Sequence, residues 1–221
     1  MDNSNIKKDI SHMLEFSEVK DTNHQDFKEA MRIYTESFPS NERHPDSIIE
    51  KRVKENLYQM FIGRLDGRVV FMALLYPLRN TDFILFDYMA TDEKSRNMGI
   101  GTKFVKTLVG KVKEDGNYLI LEVENPEYGD NREQRKRRVK FYKRLGAKEM
   151  GNVNYILPPL SGNSPTEMIL MVLPEYDDGK MPGTLVKKII TQIYEELYGR
   201  NRDDPLLNSF INSIGDTVEL I

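Results

Sequence analysis

The sequence contains no cysteine, which excludes disulfide bonds, thiolate metal sites and a thiol nucleophile together. It has no run approaching ~18 apolar residues, so no segment is expected to span a bilayer. The first dozen residues carry Asp, Asn and Lys without an apolar run, so no secretion signal is expected and a cytoplasmic location is predicted. No spacing of His, Asp or Glu suggests a metal site.

Positive and negative charges are also nearly balanced. The 32 basic and 35 acidic residues give a net charge of −3, which favours neither nucleic acid nor a membrane as partner. Residues 132–148 are locally basic, but nucleic-acid binding would call for interleaved aromatic residues and a basic chain overall. A solvated helix face is the interpretation that we prefer for this run.

The order of elements along the chain predicts an α/β domain with a mixed central sheet. Apolar runs of strand length and apolar residues at helical spacing alternate as strand, two helices, three strands, helix, strand, helix and two strands. The strands are expected at residues 13–19, 58–62, 69–76, 83–90, 118–124, 154–157 and 167–173. Asp66 and Gly67 predict a tight hairpin, and the strands at 83–90 and 118–124 are expected to be buried.

After Pro174 the character of the sequence changes. Residues 177–183 read as a linker, and residues 185–197 then predict an amphipathic helix followed by a last short helix at 206–214. We therefore expect a domain at residues 1–174 and a helical extension at 175–221, packed on the domain or on a second subunit of a homodimer.

The turn at residues 96–101 has the composition of a phosphate-binding turn. Its two glycines, Gly99 and Gly101, let the main chain approach a ligand closely, and the first N–H groups of the following helix have no internal partner. Phe104 occupies the place of the third glycine of a dinucleotide site. Lys103 follows Thr102 in the wrong order for a P-loop.

The pattern that fits, Arg-x-x-Gly-x-Gly, resembles the acetyl-CoA-binding motif of the GNAT family of N-acetyltransferases. Residues 87–92 look like the exit of the family's fourth strand, and residues 141–147 look like its Phe-Tyr-x-x-Leu-Gly-Phe segment, with Ala147 in place of the last Phe. The resemblance covers roughly residues 13–173. Arg135 and Arg138 stand where the family often carries Asn and Ala, which puts the Asn contact to the cofactor in doubt.

The resemblance implies a mostly antiparallel central sheet flanked by helices and a set of residues that hold acetyl-CoA. Those residues are Met89, Ala90, Thr91, Arg96, Asn97, Met98, Gly99, Ile100, Gly101 and Thr102. It also implies that Tyr142 is the general acid that protonates the leaving thiolate; a half-buried aromatic on a helix face is the alternative.

The general base and the acceptor site are less defined. Strand alternation places Glu122 and Glu124 on one face, and two interior carboxylates are costly unless paired or hydrated. Glu122 is the first candidate for the base and Glu124 the second; Asp87 is a third, or binds a cationic substrate. Glu36 and Arg43 lie in the loop that would shape the acceptor pocket. Each of these side chains could instead be a structural ion-pair partner.

The sequence thus predicts an acetyl-CoA-dependent N-acyltransferase that acts on a small-molecule or peptide amine by direct attack. The alternative is a non-catalytic module that senses acyl-CoA or scaffolds a partner. The identity of the amine is not readable from the sequence.

Overall fold

The computed structural model describes residues 14–40, 42–160 and 164–221. The strands are β1 (Leu14–Val19), β2 (Gln59–Leu65), β3 (Arg68–Pro77), β4 (Phe83–Thr91), β5 (Tyr118–Glu124), β6 (Lys148–Glu149), β7 (Tyr155–Leu157), β8 (Thr166–Leu173), β9 (Lys180–Pro182) and β10 (Thr217–Glu219). The helices are α1 (Gln25–Ser37), α2 (Asp46–Lys54), α3 (Ile100–Glu114), α4 (Arg132–Arg144), α5 (Gly183–Glu196) and α6 (Pro205–Ile211). Met13, the expected start of the first strand, lies outside the described residues.

The chain forms two compact units, one comprising Met1–Tyr76 and Phe86–Leu108 and the other Pro77–Leu85 and Val109–Ile221. In the first unit, β1 pairs with β2 and β2 with β3, both antiparallel, and β4 follows β3 in the strand order. Asp66 and Gly67 have φ of 52° and 74°, so the predicted hairpin forms between β2 and β3.

Aromatic rings form the core of the first unit. Phe104 of α3 lies 5.2 Å from the ring of Phe16 and 4.8 Å from that of Phe71, measured between centroids. Edge-to-face and tilted pairs of this kind stabilise beyond the area they bury. The residue that takes the place of a third turn glycine is therefore a core residue, and it fixes the start of α3 against the sheet.

In the second unit, β8 pairs antiparallel with β5, β6 and β7. The C-terminal segment belongs to this unit: α5 buries Val186, Ile189, Ile190, Ile193 and Tyr194. The end of the chain adds backbone pairing to this unit: β10 lies antiparallel to β9, and Leu220 forms a β-bridge with Met150.

Two expectations from the sequence need correction. β4 is not buried on both faces, because Asp87, Met89 and Thr91 alternate with buried neighbours and are partly exposed. The expected linker at 177–183 contains β9, which is only three residues long and whose partner lies at the end of the chain. A strand this short has too few residues to show period-two alternation.

Candidate functional site

The turn before α3 is a strained backbone segment that presents N–H groups. Asn97 and Gly99 both have positive φ, of 65° and 82°. The first helical bond runs from Lys103 N to Gly99 O at 3.0 Å, which leaves the amides of the preceding first turn without a helical acceptor. Two left-handed residues followed by a helix N-terminus give a concave set of N–H groups that suits an anion.

Backbone conformation, and not space, requires a glycine at position 99. A Cβ built on Gly99 would meet no atom within 4 Å, but φ of 82° is unfavourable for any residue with a side chain. The neighbouring Arg96 donates from Nε to the carbonyl of Thr91 at 3.3 Å, so its side chain ties the turn to the exit of β4. The predicted phosphate contact of Arg96 would use the other nitrogens of its guanidinium.

Asp87, in the first unit, is a carboxyl group whose surroundings raise its pKa. The Tyr58 hydroxyl donates to its Oδ2, and Arg52 donates to the same hydroxyl at 3.2 Å. Burial raises the pKa of Asp87 to about 6, although the Tyr58 hydrogen bond and the Arg52 charge act in the opposite direction. A carboxyl group with such a pKa is mostly ionised at neutral pH and still basic enough to accept a proton.

The loop after α1 is fixed by Tyr88, which the sequence reading did not single out. The Tyr88 hydroxyl donates to Glu42 O at 3.4 Å and accepts from His44 N at 3.3 Å, and Tyr34 donates to His44 O at 3.0 Å. Burial lowers the pKa of His44 to about 4. The aromatic run around Tyr88 was visible in the sequence, but its contacts with residues 42–44 depend on the fold.

Two of the three residues predicted to bind the acceptor, Glu36 and Arg43, make local ion pairs. Glu36 accepts from Arg32 at 2.6 Å, and Arg32 also reaches Asp92 at 3.1 Å. Arg43 pairs with Asp46 at 2.5 Å. These contacts are compatible with the structural alternative, and a role in acceptor binding stays a prediction.

Glu122 in the second unit is held by two phenols. The hydroxyl of Tyr155 donates to Oε1, and that of Tyr198 donates to Oε2 at 2.7 Å. The interior carboxylate therefore has the partners that its burial demands. Tyr198, which follows Glu122 by 76 positions, could not be identified as a partner from sequence.

Glu124 is held by two arginines of α4. Arg138 donates to Oε2, and Arg135 lies 3.5 Å from Oε1. Arg135 also donates to the carbonyls of Asn125 and Tyr128 in the preceding loop. The two arginines that depart from the family pattern thus bind β5 and the loop that follows it.

Tyr142, the predicted general acid, lies on α4 with its ring 5.1 Å from that of Phe141. Burial raises its pKa to about 12, with the Arg138 charge acting in the opposite direction. Its hydroxyl is therefore protonated throughout the neutral range, as a proton donor must be.

The first unit thus contains a phosphate-type turn at the exit of a strand, with a basic carboxyl group two residues before Met89. A profile of the acetyltransferase (GNAT) family matches residues 27–147, which is more than half of the chain. The chain belongs to this family. The family and the fold predicted from the sequence are confirmed.

Three individual proteins illustrate the likeness of this GNAT chain. An uncharacterized protein from Dictyostelium discoideum is 28% identical over 112 residues, which are 50% of this chain and 25% of the relative, so the match spans about a quarter of the relative's length. A GNAT-family protein from Bacteroides thetaiotaomicron superposes with a TM-score of 0.72 at 23% identity, covering 85% of this chain and 99% of the other. The ribosomal-protein-S18-alanine N-acetyltransferase from Escherichia coli gives 0.50 at 21% identity, covering 73% and 94%.

These two structures share the fold. Among the described residues, no helix is both long and apolar enough to cross a bilayer. In the same part of the chain, no three His, Asp or Glu side chains are grouped so that they could hold a metal ion.

Proposed function

We propose that this protein transfers an acetyl group from acetyl-CoA to an amine. The observation that carries the proposal is the turn at Asn97 and Gly99, whose positive φ values and following helix N-terminus fit a pyrophosphate. Acetyl-CoA would supply an activated thioester, and the amides from Met98 to Thr102 would hold its phosphates. Backbone groups at Met89–Thr91 would orient the acyl arm.

Asp87 is our candidate for the general base, in preference to Glu122 and Glu124. An alkyl amine is mostly protonated at neutral pH and must lose a proton before its nitrogen can form the amide bond. Asp87 has a raised pKa of about 6 and accepts from the Tyr58 phenol, whereas Glu122 accepts from two phenols and Glu124 faces two arginines. As the carbon–sulfur bond breaks, proton donation to the thiolate is the role that the family resemblance gives to Tyr142.

The test is thiol release from acetyl-CoA with a panel of small amines and peptide N-termini, together with CoA binding by calorimetry. We expect Gly99→Ala to weaken CoA binding at least tenfold, because alanine is disfavoured at this φ, and Tyr142→Phe to lower kcat at least 100-fold with CoA affinity unchanged. Gly110→Ala, within α3, is the matched control and should leave CoA binding unchanged.

Binding of CoA without turnover on any amine would favour the alternative, an acyl-CoA sensor or scaffold. Failure of CoA to bind would contradict the central proposal. The amine itself, a homodimer and a cytoplasmic location remain predictions from the sequence.

A further inference from the structure

Helix α4 contacts its unit without fully burying any of its own side chains. None of its 13 residues is fully buried, although Tyr142 is half-buried, and its contacts with β5 include the charged pairs of Arg135 and Arg138 with Glu124. A helix of a globular domain ordinarily buries an apolar stripe. The side of α4 away from Glu124 therefore faces solvent.

That side contains an open groove of about 410 Å³, which we call the α4 groove. It is lined by Pro126, Lys136, Val139, Lys140, Lys143 and Arg144. The four cations of the α4 groove surround Val139 and Pro126, and long basic side chains also present their methylene stems to such a surface. The groove thus combines an apolar floor with a positively charged rim.

The positive charge of the rim is only partly neutralised. Lys136 lies 3.6 Å from Glu133, and Lys143 lies 2.8 Å from Glu149. Within the described ranges, no carboxylate comes within 4.0 Å of the cationic groups of Lys140 and Arg144. These two residues are one helical turn apart and point to the same side of α4.

We propose that the α4 groove binds an acidic segment of a protein partner through one apolar side chain flanked by carboxylates. Charge complementarity to Lys140 and Arg144 favours a partner of negative charge, and Val139 with Pro126 favours an apolar anchor. This surface is independent of the proposed catalytic chemistry, so the inference holds whether or not the acetyl transfer is confirmed.

Two other anionic partners fit less well. A single strand of nucleic acid binds on aromatic platforms, and Tyr128, 49% exposed, is the one large exposed aromatic among the described residues. A membrane-surface helix needs a broad apolar face, which the sequence of α4 lacks. Tyr128 lies in the loop that contributes Pro126, and an exposed tyrosine is typical of protein interfaces.

The experiment uses the full chain and a fluorescent 12-residue peptide made of glutamates with one central leucine. We expect saturable binding that weakens as salt rises. The double variant Lys140→Glu/Arg144→Glu should lower the affinity at least tenfold. The matched control Lys106→Glu/Lys113→Glu makes the same change in charge on α3 and should stay within twofold of the native protein.

Replacement of the peptide leucine by glutamine should weaken binding several-fold if the apolar floor is used. Thermal melting of each variant checks that it is folded. Absence of peptide binding, or equal losses in the two double variants, would overturn the proposal. So would tighter binding of an oligothymidine or of phosphatidylserine vesicles that is lost in Lys140→Glu/Arg144→Glu.

Discussion

Asp87 and His44 lie in the first unit and have pKa values shifted in opposite directions by the same cause. Burial disfavours the charged form of either group, so it raises the pKa of the carboxyl to about 6 and lowers that of the imidazole to about 4. Each residue is therefore closer to neutral in the folded protein than its ordinary pKa would make it. The pKa of Asp87 should therefore be visible in the pH dependence of catalysis, and the pKa values of both residues in the pH dependence of the free energy of unfolding.

For catalysis, Asp87→Asn should lower kcat/KM by about 10²–10⁴-fold, the range for loss of a general base. With an aromatic amine acceptor, which is uncharged in this range, the native protein should show kcat/KM rising with pH up to an inflection near 6. Tyr58→Phe is the informative companion, because it removes a hydrogen bond that lowers the pKa of Asp87 and should move the inflection upward. Native-like activity of Asp87→Asn would show that Asp87 is not the general base and would make Glu122 or Glu124 the preferred candidate.

For stability, Asp87 and His44 should act against each other between pH about 4 and 6. The folded protein holds the Asp87 proton longer than the unfolded chain does, so Asp87 makes the free energy of unfolding fall as pH rises. His44 binds its proton mainly in the unfolded chain, so it makes the free energy of unfolding rise over the same interval. Each slope is at most about 1.4 kcal/mol per pH unit.

The variants separate the two slopes. Relative to the native protein, His44→Gln should lose stability as pH rises from about 4.5 to 6, and Asp87→Asn should gain it. Urea unfolding at several pH values measures both, and the double variant should restore a slope close to the native one. Parallel curves for all four proteins would show that neither group has a shifted pKa in the folded protein.

At the scale of elements, the loop between β5 and α4 is organised around one arginine. Arg135 reaches Glu124 and the carbonyls of Asn125 and Tyr128, and its Nη2 lies 3.1 Å from where a Cβ on Gly129 would be. Gly129 also has φ of 70°. The loop therefore wraps closely around the guanidinium.

Arg135→Ala should destabilise the protein by about 1–3 kcal/mol, because two loop carbonyls and the Glu124 carboxylate lose a charged donor. Hydrogen exchange should become faster at the amides of residues 125–131. Arg132→Ala is the matched control: Arg132 pairs with Glu127 on the exposed surface, where solvent screens the pair, so its loss should leave the free energy of unfolding nearly unchanged. Similar effects of the two changes would contradict a specific role for Arg135.

Elements with a clear local signal were predictable from the sequence. The bounds of β5 agree with the expectation, and the hairpin at Asp66 and Gly67 forms because its residues prefer positive φ. β9 and β10 were missed, since neither three-residue strand has a pattern of its own. The cofactor turn could be recognised because its chemistry lies in consecutive residues. The partners of Glu122 and Asp87 could not, because they come from distant parts of the chain.

At the scale of the whole molecule, the C-terminal segment is joined to the second unit by polar as well as apolar contacts. Tyr194 donates to the carbonyl of Ile156, and Tyr198 donates to Glu122. The backbone of Ile221 exchanges two hydrogen bonds with Glu149, each of 2.9 Å. A boundary of the acetyltransferase domain at residue 174 stays a prediction, and cutting there would remove all of these contacts.

Tyr198→Phe should lower the free energy of unfolding by about 1.5–3 kcal/mol. The Glu122 carboxylate loses one of its phenol donors, and hydrogen bonds to charged groups are the stronger ones. Tyr128→Phe, at an exposed tyrosine, should change it by less than about 0.5 kcal/mol. Chemical denaturation of both variants measures the difference. An effect of Tyr198→Phe no larger than that of the control would mean that the carboxylate does not depend on the segment.

During synthesis on the ribosome, Glu122 is made well before Tyr198, one of its hydrogen-bond donors. At about 5–20 residues per second, the phenol is synthesised roughly 4–15 s after the carboxylate that it binds, since 76 positions separate them. During that interval β5 carries an interior glutamate that lacks one of its donors. In a nascent chain, water must therefore satisfy that side of the Glu122 carboxylate until Tyr198 emerges.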